Sequence, residues 1–374
     1  MGNYKIMHRN EIVATTEGFE VKSISLPELC PVMIKKGASI VPWMNLRSID
    51  TSRGNAQRLY QALGLSANAS IDNKILTGHA VTIEDNWWIQ RSDEDCSYDK
   101  LKAYDKTVAD IAISGSSDQS TGITGYTELG TLGSYEKAWR KIDGIWFLHK
   151  KDDKAELLSE FFSYNLLSEL CVDVAEYSVA RWLSPTGIEK ELIVSKDFTE
   201  GGRYDFEPFI CYFGDNEDYN YIIGELKKLE KDVPGLVDAY IRMTFYDALI
   251  NNTDRHNGNI GFLRDSGSGR IKCLAPAFDY NQALIARDEN LIFKPKKMGY
   301  IGYFIGNMPL EEMRGKLLAR ETLEDAIKKA EEKTLRKFPD NAKAVSQCGK
   351  YVMDAYEGIN KVYEKKLYPA ITVS

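Results

Sequence analysis

One polar stretch of the chain has residue types and spacings that could transfer a phosphoryl group. It runs from Asn251 to Gly261 and reads Asn-Asn-Thr-Asp-Arg-His-Asn-Gly-Asn-Ile-Gly. Asp254 and Asn259 stand in the D-x-x-x-x-N spacing of a kinase catalytic loop, where the Asp accepts the proton of the substrate hydroxyl and the Asn holds magnesium. Asp279 follows a predicted β-hairpin and adds a carboxylate of the kind that magnesium prefers. The spacing therefore predicts a base at Asp254 and a metal site at Asn259 and Asp279.

Asn, Asp and Gly also crowd into plain turns, and a lone D-x-x-x-x-N is more often a turn than a site. Here the stretch lies between a long apolar helix and an apolar strand, which is a common placement for catalytic groups. His256 stands two residues after Asp254. We expect it to support the loop by hydrogen bonding, while Asp254 acts as the base.

A glycine-containing segment upstream could bind phosphates. It reads Gly130-Thr131-Leu132-Gly133-Ser134 and precedes a predicted strand. Glycine permits close backbone approach, and successive N–H groups can form an anion-binding nest. A plain hairpin loop fits the same residues, and the β-hairpin predicted directly downstream favours the phosphate interpretation.

That predicted hairpin has strands at Ala138–Ile142 and Ile145–Lys150, joined by Asp143-Gly144, which is typical of a type I′ turn. Kinases keep a phosphate-clamping lysine on the strand after the phosphate loop. Lys150 fits that position, although its neighbour Lys151 leaves the register open by one residue.

The next predicted element is an amphipathic helix over Asp153–Leu170. It carries Glu156 and Glu160 one turn apart, and kinases use a glutamate of such a helix to fix the lysine. Either glutamate could instead be a solvated surface charge. Two further strands are predicted at Asp173–Trp182 and Lys190–Lys196.

The catalytic-loop residues, followed by Ala275-Pro276-Ala277-Phe278-Asp279-Tyr280, resemble the HipA-like serine/threonine kinases of bacteria. The resemblance is greatest to the branch that contains the Helicobacter cell-translocating kinase, and extends more weakly from about Thr131 to the end of the chain. It implies an α+β, two-lobed protein-kinase-like fold with a β-rich N-lobe and a helical C-lobe, preceded by a small α/β module. A Gly/Ser/Thr-rich stretch at 114–125 separates residues 1–115, of unassigned role, from an N-lobe at 116–200 and a C-lobe at 201–374.

The resemblance also assigns roles. It favours Lys150 over Lys151 and Glu160 over Glu156, and it makes residues 193–199 the linker that reads adenine. The implied nucleotide-binding residues are Gly130, Thr131, Gly133, Ser134, Lys150, Glu160, Val194, Lys196 and Phe198. Because HipA-like kinases silence themselves by modifying a hydroxyl in the phosphate loop, Thr131 and Ser134 are the candidates for autophosphorylation. The chain departs from eukaryotic kinases in two motifs. Asp254 follows Asn252-Thr253 instead of ending a His-Arg-Asp, and Asp279 lies in Phe-Asp-Tyr instead of beginning an Asp-Phe-Gly. The family shares both departures.

The remaining elements are predicted from periodicity. In residues 1–115 they are strands at Phe19–Ser25 and Gly78–Ile89 and helices at Ser52–Leu63 and Tyr98–Ile111. Trp43, Trp87 and Trp88 are expected to be buried in the core rather than to form a surface on which peptides or bases stack. In the C-lobe they are strands at Ile260–Leu263 and Ile271–Leu274 and helices at Glu217–Lys231, Gly235–Asn251, Pro309–Arg320, Thr322–Lys337 and Asn341–Lys366. The irregular stretch Gln282–Asn307 is expected to be an activation or substrate-binding segment. Its lysines Lys294, Lys296 and Lys297 form a basic patch or, equally, a solvated charge cluster.

Composition bounds the function. With 374 residues, 43% hydrophobic and 28% charged, the chain reads as a globular protein of two or three domains. The net charge of -7 argues against direct nucleic-acid binding through phosphates. Six cysteines without a C-x-x-C pair indicate reduced thiols in a cytoplasmic protein, and the four histidines show no metal-ligand spacing. No apolar stretch approaches a membrane span or a secretion signal.

The expected function is an ATP- and Mg²⁺-dependent serine/threonine protein kinase that autophosphorylates and acts as a toxin-like regulator with an antitoxin-like partner. Its protein substrate is not identified by the sequence. Two alternatives stay open: a kinase for an antibiotic, a sugar or a lipid head group on the same fold, and a nucleotide-switched binding protein without turnover. The presence of Asp254, Asn259, Asp279 and Lys150 counts against the second alternative.

Overall fold

The computed structural model describes residues 2–49, 53–62, 64–66, 68–114, 126–131, 133, 135–183, 187, 189–286 and 318–367. The chain forms two compact units. The first unit comprises Met1–Lys151, Ala180–Tyr212 and Phe262–Lys272, and the second comprises Asp152–Val179, Phe213–Gly261 and Cys273–Ser374.

The first unit begins with a four-stranded antiparallel sheet in the order β3-β2-β1-β4. Its strands are β1 (Tyr4–His8), β2 (Glu11–Glu17), β3 (Glu20–Ile24) and β4 (Trp87–Arg91). The accompanying helices are α1 (Val32–Lys36), α2 (Val41–Asn45), α3 (Ala56–Ala62), α4 (Ile71–Thr77), α5 (Tyr98–Leu101) and α6 (Lys106–Ser114). Trp43, Trp87 and Trp88 are all buried, so the prediction that they are core residues is confirmed.

A second four-stranded sheet carries the predicted hairpin. Its strands are β5 (Lys137–Ile142), β6 (Ile145–Lys150), β7 (Tyr177–Leu183) and β8 (Glu189–Lys196), in the order β5-β6-β8-β7. The turn residues Asp143 and Gly144 have φ values of 50° and 83°, the left-handed pair that a type I′ turn requires. Ala138 and Leu192 of this sheet are buried in the same core as Leu59 of α3 and Ala112 of α6.

A three-stranded sheet follows in the order β11-β10-β9. Its strands are β9 (Tyr204–Pro208), β10 (Gly261–Asp265) and β11 (Ile271–Leu274). Arg264 of β10 is buried and donates to Glu207 of β9 at 2.6 Å and to the carbonyl of Glu28 at 2.6 Å. This ion pair fixes the β10–β11 hairpin that leads to Asp279.

The remaining helices are α7 (Lys154–Glu169), α8 (Phe209–Phe213), α9 (Tyr219–Leu229), α10 (Leu236–Leu249), α11 (Arg320–Lys337) and α12 (Ala342–Leu367). Helix α7 begins with a capping box, in which Asp153 accepts from the backbone N–H of Glu156 at 2.9 Å and the Glu156 side chain accepts from the N–H of Asp153. In the second unit α7 packs on α11, where Asn165 donates to Thr334 at 3.2 Å.

Two of the predicted elements differ most in extent from the structure. Only Trp87–Arg91 is a strand in the region predicted at Gly78–Ile89, because His79 and Ala80 turn the chain with φ values of 53° and 52°. Arg47 stabilises that turn by donating to the Ala80 carbonyl at 2.6 Å and to Asp85 at 2.7 Å. The helix predicted at Tyr98–Ile111 is two helices, since Asp105 accepts from the backbone of Thr107 at 2.9 Å and starts a new one.

Several predictions fall on residues that the structure does not describe: the linker over 115–125, the basic patch at Lys294, Lys296 and Lys297, and nearly all of the helix at Pro309–Arg320. The division into 1–115, 116–200 and 201–374 stays a prediction. Among the described helices, none combines the length and the apolar character that crossing a bilayer demands.

Candidate active site

The loop predicted to be catalytic leaves the end of α10 in a sharp turn. Asn251 has a left-handed φ of 51°, a conformation that asparagine tolerates better than most residues. The Asn252 backbone N–H and side-chain amide donate to Asp247 at 2.8 Å and 2.9 Å, respectively. The fully buried Asn252 therefore anchors the start of the loop to the helix.

Arg255 connects this loop to the segment that carries Asp279. Its Nε and Nη2 donate to Asp247 at 2.9 Å and 3.2 Å, and its Nη1 donates to the carbonyls of Asn259 at 2.7 Å and Phe278 at 2.6 Å. Burial opposes the charge of Arg255, but Asp247 and further negative groups outweigh it and raise the pKa of the guanidinium above its ordinary value. Arg255 was not predicted as a site residue.

A sequence signal for Arg255 did exist. Asp247 is a charged residue in the largely apolar C-terminal half of the helix, and a buried carboxylate needs a cationic partner. Arg255 is the arginine eight positions further on, directly after Asp254.

The loop holds itself in shape around Asp254. The Asn259 side-chain N–H₂ donates to the Asp254 carbonyl at 3.0 Å, which makes its amide oxygen the atom suited to a metal ion. The backbone N–H of His256 donates to the Asp254 carbonyl at 3.0 Å, and its ring Nδ1 accepts from Gly258 at 3.0 Å. These contacts agree with the supporting role predicted for His256, whose side chain is exposed.

Asp279 is held in an unusual backbone conformation. Its φ is 61°, in the left-handed region that costs a non-glycine residue on the order of 1 kcal/mol. Its N–H donates to the Tyr177 hydroxyl at 3.0 Å, and the next N–H, of Tyr280, donates to Glu160 at 3.3 Å. Just before it, Ala277 exchanges backbone hydrogen bonds of 2.9 Å with Asp173 and Ala175. Strained residues that are held this firmly cluster at functional sites.

The two candidate glutamates of α7 have different surroundings. Glu156 is used by the capping box and also accepts from Gln282 at 2.9 Å. Glu160 is only 1% exposed and lies against the backbone that follows Asp279. This difference supports the choice of Glu160 as the functional residue.

The predicted phosphate-binding segment lies in the first unit, and part of it is packed tightly. A Cβ on Gly130 would come within 2.3 Å of the Val81 carbonyl, so its glycine is explained by packing. Thr131 is buried and its hydroxyl donates to the Thr127 carbonyl at 3.2 Å. Gly133 has a φ of 99°, which favours glycine, while Ser134 lies outside the described residues.

Arg53 of the N-terminal region stabilises this segment. Its Nη2 donates to the carbonyls of Thr131 at 2.9 Å and Gly133 at 3.2 Å, and the residue is buried. Sequence reasoning missed this contact, because nothing local marks Arg53 as the partner of a segment almost eighty residues away.

The two candidate lysines, like the two candidate glutamates, have different surroundings. Lys150 is buried at the end of β6, with Nζ 5.1 Å from the ring centroid of Tyr135. Lys151 forms an ion pair with Glu136. The burial of a lysine on the strand after the phosphate-binding segment supports Lys150 as the functional residue.

The structure does not bring the side chains of Val194 and Lys196 beside Lys150. Strand β8 pairs with β6 so that Val194 lies opposite His149 and Lys196 opposite Phe147, whereas Lys150 lies opposite Ile193. Opposed residues share a face and successive residues alternate, so Lys150 projects from the other face of the sheet. Phe198 packs against Phe206, with ring centroids 5.5 Å apart. Any contact of Val194 or Lys196 with a nucleotide beside Lys150 must therefore use the backbone.

The donor set in the second unit fits a hard divalent cation. Asn259 offers an amide oxygen and Asp279 a carboxylate, and magnesium is commonly bound by one or two such groups together with nucleotide phosphates. Lys150 and the Gly130–Gly133 segment belong to the first unit, and Asp254, Asn259 and Asp279 belong to the second.

Comparisons with known proteins place this chain in a family. Residues 136–347, more than half of the chain, match the family described as the HipA-like C-terminal domain. The chain therefore belongs to the HipA-like family, and the family predicted from the catalytic-loop residues is confirmed. A search of curated proteins found no match.

Two solved structures are similar to the chain. One is HipA of Shewanella oneidensis MR-1, solved with HipB and its operator DNA, with a TM-score of 0.57 and 13% sequence identity. The match covers 96% of this chain and 99% of the HipA chain. The other is the Helicobacter pylori proinflammatory kinase CtkA, with a TM-score of 0.42 and 17% sequence identity. The match covers 62% of this chain and 94% of the CtkA chain. The likeness to HipA confirms the predicted α+β fold class over nearly the whole chain.

Proposed function

We propose that this chain is an ATP- and Mg²⁺-dependent serine/threonine protein kinase of the HipA type. The observation that carries the proposal is the pair of hydrogen bonds from Arg255 Nη1, to the Asn259 carbonyl at 2.7 Å and to the Phe278 carbonyl at 2.6 Å. One buried atom thus sets the two proposed metal residues, Asn259 and Asp279, on adjoining backbone next to the loop of Asp254.

The proposed chemistry is transfer of the terminal phosphoryl group of ATP to a serine or threonine oxygen. Asp254 accepts the proton of that hydroxyl as the new phosphorus–oxygen bond forms and ADP leaves. Asn259 and Asp279 would hold magnesium, which neutralises charge on the nucleotide phosphates. Lys150 is assigned to the phosphates and Glu160 to the nucleotide site, on the strength of their burial and of the family resemblance.

Autophosphorylation is part of the proposal, with Ser134 favoured over Thr131. The Thr131 hydroxyl is buried and donates to the Thr127 carbonyl, so the 3-10 turn at Thr127–Gly130 must open before Thr131 can accept a phosphate. Phosphate carries about −1.5 to −2 charge at neutral pH. On the phosphate-binding segment, such a charge would repel ATP and silence the kinase.

A protein partner is also proposed. The HipA of the solved complex is described as part of a toxin–antitoxin system with HipB and operator DNA. By analogy we propose that this chain acts in the cytoplasm as a toxin-like regulator controlled by an antitoxin-like protein. The net charge of -7 favours a protein partner over direct contact with nucleic acid.

The test is incubation of the purified chain with γ-labelled ATP and Mg²⁺, alone and with cell lysate, followed by mass-spectrometric mapping of phosphate. We expect label on the chain and on a protein serine or threonine, lost in Asp254→Asn and retained in the matched control Asp232→Asn, an exposed aspartate of the same unit. Label only on small molecules would replace the proposed acceptor class. No transfer by the wild-type chain under either condition would contradict the proposal.

A further inference from the structure

Three metal-ligating side chains, none of them among the proposed catalytic or nucleotide-binding residues, meet in the first unit. His79 follows α4, and Glu94 and Cys96 lie in the loop between β4 and α5. One ligand atom of each, a ring nitrogen, a carboxylate oxygen and the thiol sulfur, lies within 4.8 Å of the other two. Because His79 and the loop of Glu94 and Cys96 are separate stretches of chain, the fold itself brings the histidine to the other two residues.

His79 is oriented as metal-binding histidines usually are. Its backbone carbonyl accepts from the Ile89 N–H at 2.7 Å, and its Nδ1 lies 3.1 Å from the Ile89 carbonyl. A carbonyl only accepts, so Nδ1 carries the proton, and the second nitrogen, Nε2, faces Glu94 Oε1 at 3.6 Å. Donation of one ring N–H to a backbone carbonyl fixes the tautomer that presents the other nitrogen to a metal.

Glu94 supplies a second, independent observation at this cluster. Its Oε2 is buried with no hydrogen-bond partner in the described part of the chain. Its own carbonyl accepts from the Gln90 side chain at 2.8 Å, which fixes the loop. A buried carboxylate oxygen without a partner costs free energy that a bound cation would recover.

We infer that His79, Glu94 and Cys96 form a Zn²⁺ site in the first unit. Nitrogen, carboxylate oxygen and thiolate sulfur are the three ligand types that zinc takes in proteins, and three protein ligands leave one tetrahedral position for water. The mixed soft and hard set does not fit magnesium or calcium, which are bound by oxygen. This site shares no residue with the proposed magnesium site of the second unit.

The chemistry of the thiol sets the pH dependence of binding. Zinc binds the thiolate, so binding releases the thiol proton and the affinity should increase with pH.

Bound zinc would fasten the loop after β4 to the turn at His79. The His79 ring also contacts Tyr126, with centroids 5.9 Å apart, and Tyr126 directly precedes the 3-10 turn that leads to Thr131. Zinc would therefore order the segment on which the proposed phosphate-binding residues stand. This gives residues 1–115 a role that sequence reasoning left unassigned.

The test uses the full chain, stripped with a chelator and titrated with Zn²⁺ by calorimetry and with Co²⁺ by absorption spectroscopy. We expect one equivalent of Zn²⁺ to bind, the melting temperature to rise, and Co²⁺ to produce a thiolate charge-transfer band. Cys96→Ser should remove that band. It should also weaken zinc binding by more than about 100-fold, since even outer-shell changes cost 10–100-fold. Cys171→Ser, at an exposed cysteine of the second unit, is the matched control and should bind as the wild type does.

Two further variants guard against misfolding. Glu94→Gln keeps the shape of the side chain, and His79→Asn suits the left-handed φ of 53°. Both should fold, shown by circular dichroism, and lose zinc binding. Absence of stoichiometric binding in the wild type, or wild-type affinity in folded Cys96→Ser and Glu94→Gln, would overturn the inference.

Discussion

Asp247 and Arg255 form a buried ion pair, in which the carboxylate of the helix accepts hydrogen bonds from Nε and Nη2 of the loop arginine at 2.9 Å and 3.2 Å. Their side chains are only 1% and 3% exposed. The third guanidinium nitrogen of Arg255, Nη1, donates to the carbonyls of Asn259 and Phe278. The pair therefore transmits the position of a core helix to both proposed metal residues.

We predict that Arg255→Lys lowers both stability and phosphoryl transfer. Lysine keeps the charge but lacks the planar fork that reaches several acceptors at once. Breaking a buried ion pair costs about 3–5 kcal/mol, and the retained charge should hold the loss near the lower end. Misplacement of the loop by about 1 Å can lower turnover ~100-fold. Thermal unfolding and initial rates across a Mg²⁺ titration measure the two effects.

Arg336→Lys, at an exposed arginine of α11, is the control for that substitution and should change neither quantity. Unaltered rates and Mg²⁺ dependence in Arg255→Lys would show that this arginine does not position the site.

Asp279→Asn should weaken magnesium-dependent nucleotide binding without disturbing the backbone. Asparagine tolerates the left-handed φ of 61°, whereas alanine would add strain to the loss of charge. Asn259→Ala should have the same effect through loss of an amide oxygen. Calorimetry with ATP, with and without Mg²⁺, checks both, and binding without Mg²⁺ serves as the internal control. A magnesium effect of wild-type size in both variants would refute the metal assignment.

Preincubation with ATP should add phosphate at Ser134, and Ser134→Ala should stay active longer than the wild type during that preincubation. Thr131→Ala should behave like the wild type, because the Thr131 hydroxyl is buried against the Thr127 carbonyl. Intact mass and peptide mapping give the readout. Phosphate on Thr131, or in another segment, would contradict the preference for Ser134, and no added mass would refute autophosphorylation itself.

Glu128 should make the protein less stable as the pH rises. Burial raises the pKa of this carboxyl to about 8. The hydrogen bond from the Trp139 N–H and the charges of Arg53 and Arg140 act in the opposite direction but are smaller effects. Below about pH 4.5 the group is protonated in both the folded and the unfolded state. Between pH 4.5 and 8 the unfolded state loses the proton while the folded state keeps it, so stability decreases through this window.

Glu128→Gln keeps the acceptor for Trp139 and removes the titration. The variant should match the wild type near pH 4.5 and exceed its free energy of unfolding by on the order of a few kcal/mol at pH 8. Urea unfolding at both pH values measures the difference, and the exposed Glu189→Gln is the control. An equal stability difference at both pH values would show that the carboxyl does not titrate in this window.

Much of the fold could be predicted from local signals. Asp143-Gly144 predicted the hairpin, because few turns other than type I′ suit that pair. The amphipathic pattern predicted α7 within one residue at each end, and the structure adds a capping box from Asp153 and Glu156. The catalytic loop could be recognised because its residues are contiguous.

The errors came from interactions between distant residues. Alternation over Gly78–Ile89 predicted a strand, but Arg47, from another part of the chain, stabilises a turn there. Strand pairing also places the side chains of Val194 and Lys150 on opposite faces of the sheet, a relationship that local sequence does not show. The cluster of His79, Glu94 and Cys96 was missed because no short spacing marks it.

The central claim is that Asp254 is the base of a phosphotransferase, and single-turnover transfer from labelled ATP by Asp254→Asn tests it most directly. The substitution is isosteric, and it keeps the backbone contacts of residue 254, which donates its N–H to Asn252 and whose carbonyl accepts from Asn259. We predict that Asp254→Asn folds and binds Mg²⁺-ATP as the wild type does while transferring phosphate at least about 100-fold more slowly. Transfer at a rate near that of the wild type, with ATP binding intact, would contradict the account.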